Sequence, residues 1–407
     1  MKIVIIGAGA AGCFCAVNLK RSMPEADVVV LEKGSKALAK VAITGGGRCN
    51  LTNSFRDVRS VESVYPRGHK LMKRMLRAFS HEDTMAWFER EGVRLVVQED
   101  QCVFPQSQDA MEIVGTLTRL MRNLGVTLML NARVVDINSA DGHYEVTTAE
   151  GETIAADAVV VTAGGLPKLS MFSIFNADLS LDIVPPVPSL FTFCVADASL
   201  HELMGTVVNG VSCRLTGTKL QAEGPLLITH WGLSGPAILK LSSYGARLLA
   251  ESDYRAEVCV NWFGEVKEPE VLALLQDMQQ TNAQRQLSSA YPDRFINRHW
   301  LYLIQKAGLS PTKRWQEVGR KQMNRLASLL TNDAYKVDGR GKFKDEFVTC
   351  GGIALSNVNM NTLESKQHRG LYFAGEVLDV DAITGGFNLQ AAWSMAWAVS
   401  QSVSCSE

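Results

Sequence analysis

KIVIIGAGAAG, residues 2–12, decides the fold. An apolar β-branched run enters Gly7-x-Gly9-x-x-Gly12, and a helical pattern beginning at Cys13 leaves it. Gly7 allows a tight turn, Gly9 lets the backbone approach a pyrophosphate, and Gly12 lets helix and strand pack closely. The helix start, with Ala10 and Ala11, presents free N–H groups and a partial positive charge to that anion. A second apolar run, residues 27–31, ends at Glu32, with Lys33 beside it. Glu32 is placed to accept hydrogen bonds from ribose hydroxyls. The strand before the glycines, the helix after them and an acid 20 residues past Gly12 together predict a dinucleotide-binding βαβ unit.

The remaining chain is long enough for two or three domains. It has 407 residues, 46% of them hydrophobic and 20% charged, so a large core is expected and wholesale disorder is not. A net charge of −1 by itself points to no polyanionic partner. The first strand begins at Lys2, which leaves no room for a signal peptide, and no 18-residue apolar run is present. Nine cysteines without CxxC spacing read as reduced thiols of a cytoplasmic protein. No His/Cys cluster has metal-site spacing, so no metal is expected.

Periodicity predicts helices over 68–92 and 109–124 and short strands over 126–130, 133–138, 143–148 and 152–155. Residues 158–165, AVVVTAGG, read as a buried strand returning to a parallel sheet, with Gly164 as a cofactor contact. PPVP at 185–188 marks a boundary. Strand-like alternation follows at 190–195, 207–215 and 256–262, and helical patterning at 268–331. From 346 the style of the first domain returns. The predicted class is α/β: a Rossmann-type FAD-binding domain (1–188 and 346–407) interrupted by a β-rich insertion (189–265) and a helical one (266–345).

GAGAAG (7–12), TGGGRCNLTN (44–53), THWGLSGPAIL (229–239) and GLYFAGEVLDVDAITGGFNLQAAW (370–393) resemble, in this order, the BaiN/YhiN family of FAD-binding flavoproteins. Two departures stand out: Asp381-Ala-Ile-Thr where that family usually has a glycine or an aromatic residue, and Phe387 where tyrosine is common. The resemblance implies FAD in a glutathione-reductase-like Rossmann domain and a redox role, with reduction of activated C=C bonds as the expected activity. It also implies that Thr44, Gly45, Gly46, Gly47, Arg48, Cys49 and Asn50 lie along the isoalloxazine, and that after Gly375 either Glu376 or Asp379 meets the ribityl chain or a phosphate-bound water.

A reduced flavin is anionic at its N1–C2=O edge and needs positive charge there. The helix starting near Gly385, Gly386, Phe387 and Asn388 supplies it through free N–H groups; the plainer alternative is a turn before a core helix. Arg48 is a candidate for phosphate binding or for stabilising reduced flavin. Cys49 is the candidate redox thiol, against the plainer reading of a small residue packed near the ring. His230, with Tyr244 as alternative, is the candidate proton donor, against a structural turn. Val134 and Val135 are expected to contact adenine through the backbone, by fold analogy. No second GxGxxG is present, so NADH or NADPH would visit the flavin transiently, or another protein would reduce it.

Two stretches are basic. Residues 285–325 carry nine bases and two acids, with Phe295, Trp300, Tyr302 and Trp315 interleaved. Residues 67–77 carry Arg67, Lys70, Lys73, Arg74 and Arg77 with no acid. Such stretches suggest RNA contact through phosphates and base stacking, or else a solvated basic face. The acceptor is accordingly an enone-type small molecule or an RNA uridine, reduced by one chemistry. A non-enzymatic electron relay and an oxidase are the competing classes.

Overall fold

A computed structural model describes residues 1–140, 142–175, 179–341 and 348–405; the boundary expected at 345/346 lies outside them. The chain divides into two compact units, Met1–Val187 with Val348–Glu407, and Pro188–Phe347.

The first unit is built on a five-stranded parallel sheet. Its order is Leu371–Phe373, Ala158–Val161, Lys2–Ile6, Asp27–Leu31 and Thr127–Met129. Val159, Val160 and Val161 and the inner residues of the first two strands are buried, as strands covered on both faces must be. The helices Ala10–Ser22 and Phe387–Ser404 pack against each other. The first strand lies at the centre of the sheet, so the crevice past its carboxyl end is where an α/β sheet of this kind takes a ligand.

The helical stretch read at 68–92 is two helices, His69–Ala78 and His81–Arg90. Ser80 separates them. Its side chain accepts from the Asp83 N–H while Asp83 takes the Ser80 N–H, a capping box that starts a new helix. The prolines at 185–188 fall inside the strand Ile183–Ser189, which among the described residues pairs only with Val348–Ile353 and so tolerates missing donors.

The second unit holds a seven-stranded antiparallel sheet. Its order is Asp333–Val337, Ala256–Asn261, Val207–Leu215, Gln221–Thr229, Gly232–Ser234, Phe193–Cys194 and Gly339–Arg340. The strand Gln221–Thr229 escaped the pattern reading because Gly224 and Pro225 interrupt its alternation. The sheet and the helices Glu268–Thr281, Asn297–Lys306 and Arg320–Thr331 share one core, and the chain returns to the sheet after the last helix. The division expected at 265/266 therefore runs through a common core.

That core overturns one expectation about the 285–325 stretch. Phe295, Trp300, Tyr302 and Trp315 are buried, not displayed for base stacking. Trp300 donates to the Leu287 carbonyl (2.7 Å) and Trp315 to the Ala290 carbonyl (2.9 Å), so their polar edges are satisfied internally. Lys306 faces the buried Asp333 carboxylate at 2.6 Å and is not free for phosphate.

His299 is fully buried against Trp262, with neither ring nitrogen partnered among the described residues. Burial, with Arg298 adding to it, lowers its pKa from 6.5 to about 4. The folded state therefore binds fewer protons than the unfolded state between these values, so stability should fall as pH drops from 6.5 toward 4. The loss reaches at most roughly 3 kcal/mol. Urea midpoints measured across this window should decline in the native protein, and His299→Leu should flatten the decline. An unchanged slope in the variant would assign the acid sensitivity elsewhere.

Candidate nucleotide and flavin site

The glycine motif sits as its spacing requires. Gly7 has φ of +102°, and a Cβ there would stand 2.6 Å from the Thr162 carbonyl oxygen. A Cβ on Gly12 would stand 2.0 Å from the Gly7 carbonyl oxygen, so helix and strand touch through this residue. A Cβ on Gly9 would meet nothing within 4 Å. Gly9 caps the helix Ala10–Ser22 with no side-chain hydrogen bond, so the first-turn N–H groups, those of Ala10, Ala11 and Gly12, face the space beside it without a side-chain cap.

Glu32 is held rigidly. Its two carboxylate oxygens accept from the Ala8 N–H (2.9 Å) and the Gly34 N–H (2.8 Å), and each keeps a further lone-pair site for a hydroxyl. Beside it opens a cavity of about 460 Å³. Glu32, Lys33, Val134, Val135, Ala163 and Met171 are among its lining residues.

From here the chain leads to a second cluster. The Leu38 N–H donates to the Ala8 carbonyl (2.7 Å), anchoring the start of residues 38–53 on the motif loop. Thr44 turns extended, and Gly45, Gly46 and Gly47 follow with φ of +58°, +70° and +84°. Gly46 and Gly47 also leave open space where a Cβ would stand. The far end of the segment is bound to the start of helix Phe387–Ser404. With its amide turned so that both side-chain atoms find partners, Asn50 donates to the Thr52 carbonyl (3.0 Å) and accepts from the Gly386 N–H (3.2 Å). Asn53 donates to the Gly385 carbonyl (3.0 Å), and Thr52 donates to Gln390 Oε1 (2.6 Å). Tyr65 donates to the Phe387 carbonyl (2.8 Å). Gly386, at φ +90°, caps this helix with no side-chain hydrogen bond, so its first-turn N–H groups have neither an intrahelical partner nor a side-chain cap.

Other expected residues take supporting roles. Asn388 clamps the preceding turn, accepting from the Ala382 N–H (2.9 Å) and donating to the Ala382 carbonyl (3.0 Å), so only its backbone faces outward chemistry. The Phe387 ring is buried against Phe55 and Tyr65. Glu376 accepts from the Thr349 N–H (2.7 Å) and faces Lys40 at 3.5 Å. Gly164 lies beside it, and Gly375 passes close to Ala11. Asp379 is half-buried, its N–H donating to the Ile353 carbonyl. Arg48 is exposed, its guanidinium 4.4 Å above the Phe104 ring.

Cys49 is fully buried, and burial pushes its thiol pKa up to about 12. A buried thiol held in its protonated form is a poor nucleophile. Cys49→Ala should change flavin reduction and reoxidation rates less than twofold, and iodoacetamide should leave Cys49 unmodified in the folded protein. A tenfold loss of rate in the variant would restore its redox role.

Three features were missed in the sequence. Asp381, the departure from the family pattern, is fully buried and forms a two-pronged ion pair with Arg67. Arg67 is thereby withdrawn from the basic stretch 67–77, and Lys73 is paired with Glu62 at 2.7 Å. Leu38 adopts a left-handed φ of +57° to enter the loop. In the second unit His230 is exposed in the turn between Gln221–Thr229 and Gly232–Ser234, its ring against that of Trp231, and Ser234 bonds Thr192 (2.8 Å). Among the described residues no group of three or more His, Cys, Asp or Glu could hold a metal ion, and no helix is long and apolar enough to cross a membrane.

The chain is 28% identical over 410 residues to an Escherichia coli protein named ribosomal RNA dihydrouridine synthase, covering 98% of this chain and 96% of the relative. It is 27% identical over 408 residues to a Clostridium scindens protein named 3-dehydro-bile acid Δ4,6-reductase, covering 97% of each. In fold it is similar to the FrdA subunit of E. coli quinol–fumarate reductase, with a TM-score of 0.51 at 15% identity over 99% of this chain and 70% of that one. It is also similar to the 3-ketosteroid Δ1-dehydrogenase of Sterolibacterium denitrificans, with a TM-score of 0.50 at 13% identity over 100% of this chain and 99% of that one. The HI0933-like protein Rossmann domain family matches residues 1–402, so the chain belongs to that family.

Proposed function

We propose that the protein binds FAD and reduces an activated C=C bond. The observation that carries this reading is the segment 38–53, which is hydrogen-bonded to Ala8 at its start and to Gly385 near its end. At one end is a nucleotide cradle, at the other a glycine loop joined to an uncapped helix start.

The residues present fit FAD. Open space at Gly9 and the uncapped helix behind it suit a pyrophosphate, and the fixed Glu32 carboxylate suits ribose hydroxyls. Gly45 to Gly47 and the N–H groups at Phe387 and Asn388 would hold the ring system. When bound, the flavin supplies a hydride to the electron-poor carbon of a conjugated acceptor. The chain's own part is to set the charge around the ring. The helix start at Phe387 offers positive potential where reduction places negative charge, and Asn50, Asn53 and Thr52 keep that helix start in register with the loop. NADH or NADPH is proposed as the electron donor.

A second reading makes the acceptor an RNA uridine. It is favoured by the full-length relative named ribosomal RNA dihydrouridine synthase, and by Arg285, Arg298, Arg314, Arg320, Lys321 and Arg325, which remain exposed. Anaerobic reduction by NADH or NADPH, then rapid mixing with an enone series or with unmodified ribosomal RNA, separates the two. Reoxidation by the enones alone supports the first acceptor, and by the RNA alone the second. Reoxidation by neither, with fast reaction with oxygen, would replace both with an oxidase.

A further inference from the structure

We infer that Arg48 forms an anion subsite, so that the acceptor reduced by this protein carries a carboxylate or phosphate group. The inference rests on the flavin-dependent reductase reading and names the chemistry of its acceptor.

Arg48 is fixed before any ligand arrives. It ends the tract of left-handed glycines, and its Nε donates to the Gly45 carbonyl (3.0 Å). The guanidinium carbon lies 4.4 Å above the centre of the Phe104 ring. Phe104 is itself buried in the strand Cys102–Pro105, which pairs on both sides with Thr52–Asn53 and Leu95–Val97. The ring contact and the Nε bond together restrain the guanidinium. The ordering cost of a long, flexible side chain is therefore met in the unliganded protein.

The charge is not neutralised. One terminal amino group reaches only Gln108 Oε1, at 3.4 Å, and no carboxylate pairs with Arg48 among the described residues. Other cations of this unit are differently placed: Arg67 is locked by Asp381 and Lys40 faces Glu376. An anchored, exposed guanidinium with free N–H groups on its outer edge binds two-oxygen anions in parallel hydrogen bonds. On the same segment Ile43 is 65% exposed, and Gly46 and Gly47 leave open space. A cation beside an apolar, uncrowded stretch suits an acceptor with a flat apolar body and one anionic group. The anion is either a small-molecule carboxylate or a nucleotide phosphate.

The test uses the flavin-loaded full chain. Binding of trans-cinnamate and of its neutral amide is titrated through the visible spectrum of the oxidised flavin, and uridine 5′-phosphate is compared with uridine in the same way. The inference expects at least one charged probe to bind tenfold or more tightly than its neutral partner. Arg48→Gln should abolish that preference, and Arg48→Lys should keep only part of it, because a point charge lacks the fork. FAD content and the flavin midpoint potential should stay unchanged in both variants. Preference in the cinnamate pair identifies a carboxylate acceptor, and in the uridine pair a phosphate. Equal binding within both pairs, no binding by either charged probe, or a preference that survives Arg48→Gln overturns the inference. So does loss of FAD or a shifted potential in the variants, which would assign Arg48 to the cofactor. A wild-type chain that takes up no flavin would instead fail the underlying reading.

Discussion

Gly12→Ala should unfold or severely destabilise the first unit. The added methyl would stand 2.0 Å from the Gly7 carbonyl oxygen and 2.6 Å from Thr162 Oγ1, with no flexible side-chain end to yield on the backbone side. The helix Ala10–Ser22 must then lift off the strand Lys2–Ile6. That helix is buried from Ala11 to Leu19, so the displacement spreads into the contact with Phe387–Ser404. Overpacking against backbone costs about 3 kcal/mol, so the thermal midpoint should fall by roughly 10 °C or the protein should become insoluble. Flavin would be lost as a consequence. A soluble Gly12→Ala protein with an unchanged midpoint would show that helix and strand are not in this contact.

Gly9→Ala should separate folding from binding. Gly9 has φ of −85°, which alanine adopts without strain, and its Cβ would meet nothing within 4 Å. The fold should persist, with a midpoint within a few degrees of the parent. The space that the methyl fills is the space a pyrophosphate needs beside the helix start. Two charge-assisted hydrogen bonds from first-turn N–H groups would lengthen together, a loss of roughly 3 kcal/mol, so FAD affinity should fall about 100-fold. The contrast with Gly12 is the informative part: two glycines of one motif, three residues apart, one expected to cost stability and the other cofactor binding alone. If Gly9→Ala keeps its flavin, the phosphates lie elsewhere.

The legibility of this chain in sequence follows the range of the interactions concerned. Gly7, Gly9, Gly12 and Glu32 were readable because a βαβ unit is local and each position has one mechanical reason. The contact between residues 44–53 and the helix at Phe387 was not derivable from periodicity. Thr52 and Gln390 are 338 residues apart, and only the family resemblance suggested that both segments serve the same ring. Spacing also misjudged the aromatics at 295–315. Basic and aromatic residues alternate there as they would on a nucleic-acid surface, yet Trp300 and Trp315 turn inward and bond backbone carbonyls while Arg298 and Arg314 stay outside. Composition reports which residue types share a stretch, and packing decides which face each takes. Asp381 carried a signal as a departure from the family pattern, but its partner Arg67 lies 314 residues away.

One measurement bears most directly on the claim that the Gly7–Glu32 cradle and the Gly45–Gly386 cluster serve one cofactor. The purified full chain, incubated with excess FAD and freed of unbound flavin, is denatured and its released flavin separated by chromatography. The account predicts FAD at about one per chain, lost in Gly9→Ala while the fold remains. A chain that retains no flavin, or one that retains FMN in place of FAD, would contradict it.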